Sequence, residues 1–127
     1  MADMRTPLNR VRGLGSTRDG TEHFWRQRLT AVSNLPLILF FIGFVVAYSG
    51  APYDEVRSAL SNPIVTLLIA FALLSVLYHM RIGMQVVIED YVHEEGWKIA
   101  LILLNTFFPV VVGAIALFAL LRIAFGG

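Results

Sequence analysis

The chain has 127 residues; 57% are hydrophobic, 15% are charged, the formal net charge is +1, and cysteine is absent. A mean hydropathy of +0.69 excludes an ordinary soluble domain, which needs far more polar surface to cover a core of this size. So small a net charge gives nucleic acid no reason to bind. Without a thiol this chain makes no disulfide, ligates no iron–sulfur cluster and performs no thiol catalysis.

Residues 1–28 form a basic arm carrying Arg5, Arg10, Arg12, Arg18, Arg26 and Arg28, six of the ten basic residues. An Arg-rich start is also a feature of mitochondrial transit peptides, but Asp3 and Asp19 count against one, and the arm reads as a flexible cytoplasmic tail. A secretory signal peptide is not expected either: the first apolar run begins too late, and no small-residue cleavage site follows a short core.

Residues 29–127 read as an all-α, integral membrane unit of three transmembrane helices. Crossing a bilayer takes about 20 apolar residues in a helix, and three segments qualify, at about 29–48, 63–88 and 99–123. The first connection, "SGAPYDEVRSALSNP", is dense in turn residues; the second is "EDYVHEEGWK". Pro63 suits the first turn of the second span, where its missing N–H is not needed. The first connection has only Arg57 against Asp54 and Glu55. The arginines of the arm therefore place the N-terminus in the cytoplasm and the C-terminus outside, with the second connection back on the cytoplasmic side. A multi-pass protein of the bacterial inner (plasma) membrane is expected, ahead of the mitochondrial inner membrane.

Ionisable residues inside a span are costly and mark function. On a helical wheel of the second span, Ala72, Ser75, Gly83, Val86 and Asp90 fall within about 40° of His79. This stripe of mostly small residues allows close approach to the helix backbone, and His79 stands in its middle as the sole histidine within a span. The plain reading of His79 is a hydrogen bond to a neighbouring helix. The sharper one is an axial haem ligand, since a neutral imidazole binds iron well; a second axial imidazole would then come from another chain.

Asp90 lies about 16 Å along the helix from His79, on the same face but near the membrane surface. Asp90–Tyr91 is either a solvated helix end with an interfacial tyrosine or the edge of a quinone site. In the latter case Tyr91 donates a hydrogen bond to a quinone carbonyl and Asp90 holds a proton route beside it. Arg28, on the same side as Asp90, and Arg81, about one turn inside, either snorkel to the interface or meet an anion such as a haem propionate; Arg28 is also a candidate quinone-site contact. Asn34, Pro36, Asn105, Thr106 and Pro109 are expected to serve helix packing and kinks.

Two stretches resemble a known family. "HMRIGMQVVIEDYV", His79 to Val92, resembles the second helix of the small hydrophobic membrane-anchor subunit of succinate dehydrogenase, respiratory complex II: a His, then I-G, then D-Y eleven residues after the His. "HFWRQRLTAVSNLPL", His23 to Leu37, resembles that family's first-helix entry, with an R-x-T-A core at Arg28, Thr30 and Ala31. The third span and the arm carry no diagnostic motif. Some relatives have a histidine six residues before the R-x-T-A arginine; here that position is Glu22, and His23 is given no role.

The resemblance implies an anchor for a flavoprotein subunit and an iron–sulfur subunit, through whose clusters electrons from succinate reach ubiquinone, the substrate at the membrane. It implies that His79 is an axial ligand of haem b, shared with a second transmembrane anchor subunit of the cytochrome b556 type, and that Tyr91 contacts ubiquinone with Asp90 beside it. A fumarate reductase anchor shares this architecture. A cofactor-free structural or assembly protein of the membrane is the alternative from another class.

Overall fold

The computed structural model describes residues 6–13 and 18–126. Its elements are five helices: α1 (Pro7–Arg12), α2 (Arg18–Ala47), α3 (Tyr53–Leu60), α4 (Pro63–Tyr91) and α5 (Glu95–Phe125). Three of them, α2, α4 and α5, are long and apolar enough to cross a membrane. Each has about 30 residues and is therefore roughly 45 Å long, against a hydrocarbon core of about 30 Å.

The excess length changes two expectations. The arm contains α1, and its last eleven residues are the first turns of α2. Residue 28 thus marks a change from polar to apolar surface inside one continuous helix. The second connection shortens to Val92, His93 and Glu94, so Asp90 and Tyr91 belong to the last turn of α4. Lys98 Nζ donates to the Glu89 carbonyl oxygen at 3.3 Å across this tight turn.

The first connection also differs from its reading as a run of turns. α2 ends in a turn in which Gly50 takes φ +81°, a conformation open to glycine at no steric cost. Tyr53–Leu60 then forms the amphipathic α3, with Asp54 and Glu55 in its first turn, favourable against the helix dipole. α4 starts as its sequence foretells: Asn62 accepts from the Ile64 N–H at 3.0 Å and Pro63 follows at the first helical position. Thr66, buried, donates to the Leu60 carbonyl at 2.6 Å and ties α3 to the start of α4.

α4 is the central helix. It packs against α2 on one side and α5 on the other, while the backbones of α2 and α5 do not meet. The α2–α4 register is antiparallel and fixed by polar pairs: Thr30 meets His79 and Ser33 meets Ser75. Against α5, the buried Pro109, Gly113 and Leu120 form the contact stripe. A Cβ on Gly113 would lie 2.9 Å from Leu77 Cδ1, so this crossing depends on glycine. A single row of three helices buries little of itself. The buried apolar side chains are Ala72, Ile82, Ile88 and Leu120 among the described residues, and the remaining apolar surface faces outward.

The orientation given by the arm is open to a direct check. A reporter in the Glu94–Gly96 turn should lie on the cytoplasmic face, and one fused after the C-terminus on the outer face. Both reporters on one side would refute the orientation.

Candidate functional site

Most of the polar groups between the spanning helices lie in one belt about two turns deep. The pairs Thr30–His79 and Ser33–Ser75 set the level on α2 and α4, and the Gln27 side chain comes within 3.5 Å of the Cβ position of Gly83. The same register places Arg28 opposite Arg81. Asn105 of α5 joins the layer by donating to the Arg81 carbonyl oxygen at 2.9 Å. The belt is not complete in itself. Gln27 Oε1, Asn34 Oδ1 and Arg81 Nε are the buried side-chain polar atoms without a partner among the described residues, and all three belong to it. Buried polar groups without partners are rare in finished folds.

His79 meets both of its expected descriptions, one at each ring nitrogen. Its Nδ1 lies 2.9 Å from Thr30 Oγ1, the hydrogen bond to a neighbouring helix. Its Nε2 makes no hydrogen bond among the described residues and is not among the sealed, unpartnered atoms, so it is not fully enclosed by this chain. The small-residue stripe around it has a simpler use than expected. Ala72 is buried, and Ser75, His79 and Gly83 are half-buried, facing α2 through the contacts just described. It is α2 that takes the close approach.

Arg81 and His79 do not share a face. Two residues apart on a helix is about 200°, and Arg81 lines a cavity of about 890 Å³ between the three helices that His79 does not line. Tyr78 and Thr106 stand near Arg81 at one end, while Phe71 and Leu117 mark the apolar deep end. A second cavity of about 700 Å³ lies on the other side of α4, toward α3, between Phe44, Ala72 and Leu120.

Arg28 is exposed, with its guanidinium 5.0 Å from the centre of the Phe24 ring, a cation–π contact. It sits at the same end of the row as Asp90 but deeper: the register puts Asp90 level with the start of α2, roughly 14 Å further along the axis. Asp90 and Tyr91 are exposed, Tyr91 at 78%, and neither makes a side-chain hydrogen bond among the described residues. The structure therefore brings together His79, Thr30 and Gln27 where α2 meets α4, puts Arg28 at a similar level but on the exposed surface of α2, and leaves Asp90–Tyr91 as a separate exposed pair at the helix end. Sequence reasoning gave no role to Gln27, Thr30 and Ser33, although their spacing of three residues puts a polar stripe on one face of α2.

No cluster of three or more His, Asp or Glu side chains suited to a metal ion occurs among the described residues. Metal binding of the haem type requires less of this chain: one imidazole with a free, accessible nitrogen and a held partner nitrogen. His79 fits that requirement.

Residues 2–113 match the family described as succinate dehydrogenase/fumarate reductase transmembrane subunit. The chain belongs to this family. It is similar to the succinate dehydrogenase hydrophobic membrane anchor subunit of Rickettsia bellii (strain RML369-C), 32% identical over 71% of this chain and 72% of that protein. It is also similar to the succinate dehydrogenase membrane anchor subunit of Reclinomonas americana, 35% identical over 69% and 76%. The hydrophobic membrane anchor subunit of Paracoccus denitrificans is 29% identical over 95% of this chain and 93% of its own. No solved structure matches. Family membership and three spanning helices together make this a multi-pass membrane protein.

Proposed function

We propose that this chain is the hydrophobic membrane anchor of a bacterial succinate:ubiquinone oxidoreductase of the inner membrane, holding the flavoprotein and iron–sulfur subunits at the bilayer. The names of its relatives favour succinate oxidation over the fumarate reductase reading that the family description also covers. The chain has no cysteine for a cluster, and as a membrane anchor its work is anchoring, ligation and contact with quinone.

The observation that carries the haem reading is His79. Its Nδ1 is engaged by α2, and its Nε2 is neither bonded nor sealed among the described residues, which leaves it for an iron whose second imidazole a companion anchor subunit would supply. Haem b, if bound there, would supply a one-electron redox centre. His79 would hold the iron, and Arg28, at the level of the belt and without an ion pair among the described residues, would be the cation for a propionate. Arg81 faces the cavity on another side of α4, which favours a partner there other than a macrocycle bound at His79. At the helix end Tyr91 donates a hydrogen bond to a ubiquinone carbonyl. Asp90, exposed to the aqueous side, accepts and releases the accompanying protons.

Affinity purification tests the anchoring role. A tag on this chain should bring from detergent-treated membranes a second hydrophobic subunit, a flavoprotein and an iron–sulfur protein, with succinate-dependent quinone reduction. Recovery of the chain without these soluble subunits would refute it.

A further inference from the structure

Thr30 sits at the contact of α2 and α4 with three oxygen or nitrogen atoms around its hydroxyl: the carbonyl oxygens of Arg26 at 2.8 Å and Gln27 at 3.0 Å, and His79 Nδ1 at 2.9 Å. A hydroxyl has one proton to donate and two lone pairs to accept with. If that proton pointed to His79, the threonine oxygen would face two carbonyl oxygens at hydrogen-bond distance with no proton between them. Donation back to the preceding turn, a habitual bond for threonine in a helix, removes that repulsion. The lone pairs then remain for His79, and they demand a proton on Nδ1. The other nitrogen, Nε2, is thereby left with the lone pair, and it is not among the sealed atoms.

We infer that Thr30 is the positioning residue of His79: its hydroxyl, oriented by the α2 backbone, fixes the Nδ1–H tautomer and the ring plane, so that Nε2 is presented as a ligand. The inference rests on the reading of His79 as the haem ligand and adds to it the group that makes it one. Partners behind a ligating histidine set its tautomer and raise its basicity, and their loss costs about 10–100-fold in metal affinity. Ser33 and Ser75, at 2.9 Å one turn deeper, keep the two helices in the register that this contact needs.

The test uses the intact complex purified through this chain. Thr30→Val keeps the shape and removes the hydroxyl; Thr30→Ser keeps the hydroxyl. With excess apomyoglobin as haem acceptor, Thr30→Val should release haem about 10–100-fold more readily than the unmodified complex. Its haem midpoint potential should rise, because a less electron-rich imidazole favours ferric iron less. Thr30→Ser should match the unmodified complex in both measurements. Should valine prevent assembly, Thr30→Ala, which cannot overfill the site, takes its place with the same expectations. Unchanged haem release and potential in the variant lacking the hydroxyl, or loss in Thr30→Ser equal to that in Thr30→Val, would overturn the inference. His79→Ala separates the two levels. If it loses haem while Thr30→Val does not, the positioning role fails and the ligand stands. If it leaves the haem spectrum intact, the ligand reading falls and the positioning role with it.

Discussion

Replacement of His79 by alanine should remove one axial bond to the haem and leave the complex haem-depleted or spectrally altered. This is the largest effect expected of any single substitution in the chain, because no other histidine lies within the membrane-spanning part. His23 stands near the start of α2 and His93 in the turn after α4, neither at the level of the belt. Loss of the ligand itself should exceed the roughly 10–100-fold penalty for losing a partner behind it. A vacant coordination position also shifts low-spin iron toward high spin, so residual haem should be recognisable by electron paramagnetic resonance. Assembly need not fail, since the α2–α4 register retains Ser33–Ser75 and the small-residue contact. An unchanged low-spin spectrum with full haem content would mean that His79 is only a packing residue bonded to Thr30.

Tyr91→Phe should slow ubiquinone reduction while sparing electron transfer to an artificial acceptor that draws from the soluble subunits. Tyr91 is 78% exposed in this chain, and its hydroxyl bonds to none of the described residues, so its loss costs the anchor itself little. A lost hydrogen bond to the quinone carbonyl is worth about 0.5–1.5 kcal/mol, which corresponds to a roughly 2- to 12-fold fall in kcat/KM for quinone. The phenyl ring stays, so packing at the helix end is preserved. If both activities fall together, the defect lies in assembly. If neither falls, Tyr91 is an interfacial anchor of the kind common at membrane surfaces and makes no contact with quinone.

The transmembrane architecture was legible in the sequence because the bilayer imposes it: long apolar runs have no alternative to helix where water is absent. Helix ends were less legible. Charged residues such as Glu89 and Asp90 mark where the bilayer ends, whereas α4 continues to Tyr91 because nothing there breaks a helix. The same mismatch hid the first turns of α2 inside the arm. α3 was missed because its eight residues stand between Pro52 and Pro63, and such punctuation reads as turns. At the site, periodicity found His79 and its stripe of small neighbours but not what the stripe was for. Small residues show that something approaches closely, and a single chain's sequence does not say whether that is a cofactor or its own first helix. Thr30 was visible only as part of a motif; its task depends on a contact between residues 49 positions apart, which periodicity along one helix does not reveal.

The most direct measurement is the reduced-minus-oxidised absorption spectrum of the complex purified through this chain, with the haem counted against the chain. One b-type haem per copy, lost or altered in His79→Ala, is the result expected of an anchor that presents His79 Nε2 to iron. A complex that oxidises succinate and reduces quinone with no haem absorption, or with a haem spectrum indifferent to His79, would contradict it.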